Sequence, residues 1–336
     1  MLNAVYLEAD AVTVLLLAPD GLTLEYAGTR GFSSALPRRS ERVGRGLAGQ
    51  VALSRRPWHF PAVQQAASLD SEWQRVLQQE GFTSYYATPV LSKGKVLGVI
   101  EVLHRASFEL SGPWLDSLDL LVSQLAIAVE NCNLFEELER QNLALRLAYD
   151  ETIEGWARAL DLRDRETEGH SRRVTERTVE LCRALGLASE ALVAVRRGAL
   201  LHDMGKIAIP DAILLKPGPL TDEEWIVMKG HPDTAVELLS PIRFLRPALD
   251  IPHYHHEKWD GTGYPRGLQG TEIPLTARAF AVVDVFDALT SDRPYRSAWT
   301  RERALEHIQA GAGTHFDPQV VQVFLAMLQQ EEEFRD

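Results

Sequence analysis

The sequence predicts an α+β domain that is joined by one long helix to an all-α domain. Three observations support this prediction: the length, a change of hydrophobic period after residue 113, and an uneven distribution of histidine. The chain has 336 residues, and domains of about 100–200 residues each favour a division into two. Of the ten histidines, His59 and His104 alone precede residue 150. We therefore expect the chemistry in the C-terminal half.

The composition is that of a globular protein. Hydrophobic residues make up 45% of the chain and charged residues 24%, which excludes a disordered or low-complexity chain. The longest apolar run, residues 11–18, is far shorter than the roughly 20 residues that span a bilayer. No membrane span is therefore expected. The N-terminus has no basic segment followed by a long apolar one, so it predicts no secretory signal and a cytoplasmic location.

The charge and the cysteines limit the partners. The formal net charge is −12, which argues against a general attraction to nucleic acid polymers or anionic lipid. Cys132 and Cys182 lie 50 residues apart and cannot by themselves form a disulfide framework or a four-thiolate zinc site. Both are expected to be reduced core residues.

The first 110 residues predict strands that are separated by turns. Short apolar runs occupy residues 12–17, 22–27, 88–91 and 96–103. Pro19-Asp20-Gly21 separates the first two runs, and a segment with Gly94, which can take the positive φ of a hairpin turn, separates the last two. We expect an antiparallel sheet with flanking helices.

Beyond residue 113 the apolar residues recur at alternating spacings of 4 and 3, which is the period of a heptad seam. The first half of this seam is Trp114, Leu118, Leu121, Leu125, Ala128, Cys132 and Phe135. The second half is Leu138, Asn142, Leu145, Tyr149, Thr152, Trp156 and Leu160. A seam on an exposed connector commonly pairs with its own copy, and Asn142 in a core position favours a parallel homodimer. The alternative is that the seam packs only on its own sheet, an interpretation that is stronger for the first half than beyond Phe135.

Helical periods continue beyond residue 150. Thr221-Asp222-Glu223-Glu224 has the pattern of a capping box at the start of a helix. Asp317-Pro318 places a cap before a proline at the first helical position. Strand-like alternation is absent from this part of the sequence, so the second domain is expected to be all α.

Polar side chains interrupt two apolar helical segments of this second domain. His202-Asp203 follows the segment 194–201 directly, and Asp284 lies within the segment 279–289. A buried ionised carboxylate costs several kcal/mol unless it is paired or bound to metal, so these residues need partners. Partners of suitable chemistry are Glu166, His170, His231, His255 and His256.

These residues together offer eight nitrogen or oxygen donors, more than one ion takes. The sequence therefore predicts two or three metals close together, an arrangement that activates a hydroxide and holds a phosphoryl group. Donor sets without thiolate suit iron, manganese, zinc or cobalt. Lys206, one turn beyond His202, would meet a substrate phosphate. A single histidine on an apolar helix is more often a hydrogen-bonded core residue, and His253, His307 and His315 are assigned to that class.

Two segments resemble the defining motifs of the HD-GYP family of metal-dependent phosphohydrolases. They are His202-Asp203-Met204-Gly205-Lys206 and the segment 255–265, which ends in Gly263-Tyr264-Pro265. The similarity covers about residues 150–330 and includes the segments 216–221, 231–232, 284–290, 293–296 and 316–318. The resemblance implies an all-α bundle that hydrolyses cyclic di-GMP at a centre of two or three divalent metals, usually iron or manganese.

The resemblance also assigns roles to residues. The implied metal ligands are Glu166, His170, His202, Asp203, His231, His255, His256 and Asp284, and Glu166 is the ligand that members with a third metal carry. Asp203 and Lys206 are the expected catalytic residues, with Lys206 near the scissile phosphate. Substrate contacts are also implied for Gly263, Tyr264, Arg293 and Arg296. One departure is visible, because Ala235 stands where the family usually has glycine.

The N-terminal half contains a glycine pattern at residues 43–49, G-x-G-x-x-G. A dinucleotide site requires a strand before this pattern, and none is predicted there, so that site is rejected. The same stretch, with residues 11–24 and 85–103, resembles GAF domains, which are sensory modules with a ligand pocket on their sheet. The pattern of cyclic-nucleotide-binding members is absent, so an unknown small ligand is expected. His59 and Cys132 are expected to be structural.

The expected domains are a GAF-like sensory domain at residues 1–130, a linker within a long signalling helix at 131–150, and an HD-GYP domain at 151–332. The expected function is GAF-regulated hydrolysis of the 3′-5′ phosphodiester bond of cyclic di-GMP to pGpG, with further cleavage to GMP left open. Two alternatives remain. One is a catalytically weak module that senses the nucleotide or docks a protein, and the other is an HD-type phosphohydrolase of another nucleotide. The complete donor set and Lys206 favour the enzyme.

Overall fold

The computed structural model describes residues 8–33, 40–66, 71–164, 169–292 and 297–333. The chain divides into two compact units, Met1–Leu143 and Ala144–Asp336. The division falls within the predicted linker, residues 131–150.

The first unit contains a six-stranded sheet in the order β3-β2-β1-β6-β5-β4. The strands are β1 (Ala11–Leu17), β2 (Thr23–Arg30), β3 (Ser40–Arg42), β4 (Trp58–Phe60), β5 (Ser84–Ser92) and β6 (Lys95–His104). All neighbouring strands pair antiparallel. Gly94, with φ of 78°, lies in the turn between β5 and β6, so the predicted hairpin and the four predicted strands are confirmed.

The short strand β3 corrects one expectation, because it directly precedes the glycine pattern at residues 43–49, where no strand was predicted. Thr23 of β2 lies opposite Arg42 of β3 in an antiparallel register. The described sheet therefore contains no parallel strand–helix–strand unit around this pattern. A dinucleotide site of this kind requires such a unit, so the site remains rejected.

Side chains alternate between the two faces of the sheet along each strand, and both faces are covered by other parts of the chain. Tyr85 lies in the core beneath helices α1 (Gly46–Ser54) and α2 (Ser71–Glu80), whereas the adjacent Tyr86 packs on the opposite face. That opposite face is covered by the start of helix α3 (Gly112–Asp164), where Trp114 and Leu118 are buried.

Helix α3 is the predicted long connector and has 53 residues. The first residues of its seam pack on the sheet of their own domain, so the alternative interpretation holds for this part alone, and the seam is exposed further along. The side chains of Phe135 and Leu138 are 61% and 56% exposed. Cys132 is exposed as well, so the expectation that it is a core residue was wrong, whereas Cys182 is buried.

Helix α3 also bears on the expectation of no membrane span. One 18-residue window of this helix has a mean hydropathy of 1.2 and passes a test for a span by length and composition alone. Only 17% of that window is buried. One such helix is weak evidence for a span.

The second unit is all α in its described residues apart from isolated bridges, which confirms the predicted class. Its helices are α4 (His170–Ala184), α5 (Ser189–Leu200), α6 (Asp211–Leu214), α7 (Asp222–Met228), α8 (His231–Leu239), α9 (Asp250–Tyr254), α10 (Leu275–Thr290), α11 (Arg301–Ala310) and α12 (Pro318–Glu333). Thr221 and Glu224 form the predicted capping box at the start of α7. The main core lies between α4, α5, α10, α11 and α12. Ile153 and Ala157, near the end of α3, belong to a second cluster with Leu200 and Leu239.

Candidate metal centre

Seven of the eight predicted ligands lie in two clusters within the second unit. Asp203, His231, His255 and His256 form one cluster, and His170, His202 and Asp284 form the other. Within each cluster one ligand atom from each side chain lies within 4.8 Å of the others. The eighth, Glu166, lies outside the described residues.

The ligands come from the ends of helices and from one helix interior. His170 and His231 are the first residues of α4 and α8, and His255 directly follows α9. Asp203 follows α5 by three residues, and Asp284 lies in the middle of α10. Helix ends from distant parts of the sequence therefore converge on one place in the fold, which brings together donors that no local motif contains.

Gly205 allows the turn after Asp203 to approach α8 closely. A Cβ atom at this position would lie 1.8 Å from the backbone oxygen of His231 and 2.8 Å from the backbone nitrogen of Ala235. Any other residue would push α8 away from the cluster. Ala235, the departure from the family pattern, is fully buried, and His231 keeps its place in the cluster beside it.

Backbone carbonyls orient three of the histidines. Nδ1 of His202 lies 2.8 Å from the oxygen of Ala199, and Nδ1 of His231 lies 2.8 Å from the oxygen of Met228. Nδ1 of His255 lies 3.0 Å from the oxygen of Ile251. A carbonyl only accepts, so each Nδ1 carries a proton, and Nε2 is the nitrogen left to bind a metal in the cluster. This is the second-sphere arrangement that metal-binding histidines use.

Burial keeps part of the histidine set neutral. His231 is 1% exposed, and burial lowers its pKa to about 4. Burial, with His255 and His231 nearby, holds the pKa of His256 well below its usual value. A neutral imidazole is the form that binds metal. These two histidines can therefore bind metal at neutral pH without first losing a proton.

Asp203 lies at the centre of the first cluster. Its Oδ1 is 3.4 Å from Nε2 of His231, and its Oδ2 is 3.1 Å from Nε2 of His202, a member of the second cluster. Burial alone would raise the pKa of Asp203, but Lys206 and His202 hold it well below the usual value. This carboxylate is therefore ionised and faces both clusters.

An open cavity of about 310 Å³ adjoins the clusters, and Lys206 lines it together with His170, His256 and Asp284. Nζ of Lys206 lies 2.6 Å from Oδ2 of Asp203. A fixed cation beside an ionised carboxylate of the cluster is suited to the charge of a phosphodiester.

The segment with Gly263 and Tyr264 lies against the first cluster. A Cβ at Gly263 would lie 2.4 Å from the backbone nitrogen of Lys258, so only glycine fits this close approach. The ring of Tyr264 stacks on His256 with centroids 4.7 Å apart. Arg293 and Arg296, the other predicted substrate contacts, lie outside the described residues.

Two further carboxylates were missed from the sequence. Asp287 lies 2.8 Å from Nδ1 of His170. Glu257 is buried and accepts hydrogen bonds from the backbone nitrogens of Arg266 and Leu268, which holds the loop that carries Tyr264. Both lie inside the recognised motifs, three residues after Asp284 and one after His256. Their proximity to proposed ligands could have identified them from the sequence.

The three histidines assigned to a structural class remain outside both clusters. Nε2 of His253 lies 3.1 Å from Oδ1 of Asp233. His315 stacks on Phe316, with centroids 4.2 Å apart, and His307 packs edge-on against Trp299.

Comparison with known families agrees with this geometry. Residues 156–320 match the HD domain family, and residues 4–132 match the GAF domain family. The chain combines a GAF domain with an HD domain. The predicted order of an α+β GAF-like fold, a long helix and an all-α HD domain is therefore confirmed.

Several relatives of this GAF–HD chain are named phosphodiesterases. The 3′3′-cGAMP-specific phosphodiesterase 2 of Vibrio cholerae is 38% identical over 254 residues, which is 74% of this chain and 47% of the relative. The cyclic di-GMP phosphodiesterase response regulator RpfG of Xanthomonas campestris is 44% identical over 211 residues, 61% of this chain and 53% of the relative. The chain thus spans about half the length of these curated relatives.

A solved structure is also similar to the chain. It is a cyclic GMP-AMP-specific phosphodiesterase of Vibrio cholerae, with a TM-score of 0.42 and 22% sequence identity. The match covers 53% of this chain and 48% of that chain.

Proposed function

We propose that this chain is a metal-dependent phosphodiesterase that hydrolyses the 3′-5′ phosphodiester bond of cyclic di-GMP to pGpG, with GMP as a possible second product. The observation that carries the proposal is the convergence of seven donors in two adjacent clusters beside Lys206 and an open cavity. Relatives named cyclic di-GMP phosphodiesterases support the choice of substrate.

The donor set fits divalent transition metals. His170, His202 and Asp284 would hold one ion, and Asp203, His231, His255 and His256 would hold another. Glu166 is the proposed ligand of a third. Oxygen and imidazole donors without thiolate suit iron or manganese. When bound, such ions supply Lewis acidity and lower the pKa of water.

The side chains of the protein have separate tasks. Lys206 faces the cavity and would bind the scissile phosphate, where its charge offsets the negative charge that develops on the phosphoryl oxygens. The ring of Tyr264, held on His256, would form one wall against the substrate. Arg293 and Arg296 are the proposed contacts to the remaining phosphate charge. Because the pKa values of His231 and His256 are lowered and that of Asp203 is held well below its usual value, these three proposed ligands are in their metal-binding forms at neutral pH.

A second substrate has specific support. Three relatives are named 3′3′-cGAMP-specific phosphodiesterases, at 38%, 32% and 35% identity. The two cyclic dinucleotides differ in one base and share the phosphodiester ring, so the same centre would attack either. The residues that distinguish adenine from guanine would then decide which substrate is preferred.

The experiment is a direct comparison of the two substrates. The purified full chain, loaded anaerobically with iron or manganese, is incubated separately with cyclic di-GMP and 3′3′-cGAMP, and the products are separated by chromatography. Faster release of pGpG from cyclic di-GMP supports the proposal. Faster cleavage of 3′3′-cGAMP would identify 3′3′-cGAMP as the preferred substrate instead. Nucleotide binding without turnover assigns the chain a sensor or docking role. The metal-free protein is the control.

The remaining proposals concern regulation, oligomeric state and subcellular location. An unknown small ligand of the GAF domain would regulate hydrolysis through α3. The exposed seam of α3, with Phe135, Leu138 and Leu145 at 61%, 56% and 50% exposure, would pair with a second copy in a parallel homodimer. Because the proposed substrate is a messenger inside the bacterial cell, we place the chain in the cytoplasm.

A further inference from the structure

The last two residues of α3 hold the turn that carries Lys206. The guanidinium of Arg163 donates to the backbone oxygens of Lys206 and Ile209, at 2.8 Å and 2.7 Å, and to Oδ1 of Asp211 at 2.8 Å. Two carbonyls of one short turn therefore depend on a single side chain of the connecting helix.

The adjacent Asp164 contacts the side chain of the same lysine. Its Oδ2 lies 3.2 Å from Nζ of Lys206, and the two side chains are 5% and 16% exposed. Oδ2 of Asp203 lies 2.6 Å from the same ammonium nitrogen. Lys206 thus contacts both a proposed metal ligand and a carboxylate that belongs to neither metal cluster.

This placement has a chemical consequence. If Asp203 were the only anion beside Lys206, the ammonium group would be drawn onto a metal ligand and away from the cavity. A second carboxylate shares the ammonium group with Asp203, so that Nζ is held by two contacts while Lys206 lines the cavity, where a phosphate would meet it. Because few solvent molecules reach this pair, its geometry is held more firmly than that of a surface ion pair.

We infer that Asp164 is a positioning residue for Lys206, and that Arg163 holds the backbone of the same turn. This inference rests on the proposed hydrolytic function and deepens it. The two residues end the helix that begins at Gly112, so a shift of the helix end would move the phosphate-binding lysine. The position of the connecting helix would then influence the rate of hydrolysis.

The test is a double-mutant cycle between Asp164→Asn and Lys206→Ala in the full, metal-loaded chain. We expect Asp164→Asn alone to lower kcat by up to about 10²-fold, less than the loss expected when the charge-stabilising Lys206 itself is removed, with metal content unchanged. In the Lys206→Ala background the same substitution should change the rate by less than about twofold, because its effect passes through the lysine. Asp164→Glu should recover part of the rate.

A second measurement separates positioning from stability. Binding of a phosphorothioate analogue of cyclic di-GMP should weaken in Asp164→Asn but not weaken further when Lys206→Ala is already present. The matched control is Glu176→Gln, which removes an exposed carboxylate that pairs with Arg172 at 2.8 Å and should leave the rate unchanged.

Two outcomes overturn the inference: a full rate in Asp164→Asn, or an equal loss in both backgrounds, which would indicate a structural role. Bis(p-nitrophenyl) phosphate serves as a second substrate in the same cycle. If the wild type cleaves it but neither cyclic dinucleotide, the proposed substrate is wrong, while the cycle still tests Asp164.

Discussion

Nδ1 of His170 lies 2.8 Å from Oδ2 of Asp287, while Nε2 of the same ring lies 3.4 Å from Oδ1 of Asp284. One ring nitrogen is therefore held by a carboxylate outside the cluster, and the other ring nitrogen lies beside a proposed metal ligand. Arg173 donates to both carboxylate oxygens of Asp287, at 2.8 Å and 2.9 Å. Burial opposes ionisation, but His170 and Arg173 lower the pKa of Asp287 to about 2.

The first prediction concerns this carboxylate. Asp287→Asn keeps the shape of the side chain but removes its charge, and an amide can turn its NH₂ group toward Nδ1, which would leave Nε2 protonated. We expect metal affinity at the His170 cluster, or activity, to fall about 10–100-fold. Elemental analysis and steady-state rates measure the two effects. Glu180→Gln, on the exposed surface of α4, is the control, and full metal content with a normal rate in Asp287→Asn would contradict the assignment.

The second prediction separates Asp203 from Lys206. Asp203→Ala removes the carboxylate that faces both clusters, so turnover and metal content should be lost together. Lys206→Ala removes one cation that stabilises charge, so the metals should remain while the rate falls about 10²–10³-fold. Elemental analysis after anaerobic purification should give two or three ions per wild-type chain.

The contrast between these two variants makes the prediction specific. If Asp203→Ala retained its metals and hydrolysed at a near-normal rate, Asp203 would not be a ligand shared by the two clusters. The nucleophile would then be held by another set, such as His255, His256 and Asp284. One ion or none in an active wild-type protein would exclude the centre with several metals.

The sequence was sufficient to predict residues whose identity follows from chemistry and local pattern. His202-Asp203 and Asp284 are polar groups in apolar helices, and burial of such groups requires partners. Asp287 interrupts the same apolar segment as Asp284 but was not singled out, and no pattern in the sequence distinguishes Asp164, at the end of α3, from an exposed carboxylate. Only the packing of α4 against α10, and of the end of α3 against the turn with Lys206, shows what they contact.

The seam of α3 shows a second limit of sequence patterns. A heptad repeat identifies an apolar stripe but not the surface that covers it. Trp114 and Leu118 continue the same repeat as Phe135, yet they are covered by the sheet. The repeat also gave no indication that Cys132, a member of the seam, is exposed. The partner of a stripe depends on which surface lies nearby in three dimensions.

The third prediction is a parallel homodimer through the exposed part of this seam. The wild-type chain should be dimeric by light scattering at tens of micromolar. Leu138→Glu places a charge in a proposed core position and should give a monomer. Leu143→Glu changes a residue of similar exposure, 59%, that lies outside the seam, and should remain dimeric. A monomeric wild type, or equal behaviour of both variants, would exclude this interface.

The fourth prediction concerns the stability of the metal-free protein at mildly acidic pH. Burial, with the positive charge of Lys258, lowers the pKa of His315 from 6.5 to about 4. Between these values the unfolded chain binds a proton at this residue and the folded chain does not, so the free energy of unfolding decreases as the pH falls from about 6.5 to about 4. Above this range both states are neutral at His315, and its contribution is constant.

A substitution isolates this contribution from those of the other histidines. His315→Gln removes the titrating group, so the variant should lose less stability than the wild type between pH 7 and pH 5, by about 1 kcal/mol once solvent screening of this half-buried side chain is included. Urea denaturation of both proteins at each pH gives the two slopes. Between pH 7.5 and pH 8.5 the curves should run parallel. A steeper loss in His315→Gln would mean that His315 is protonated in the folded state and that the sign assigned here is wrong.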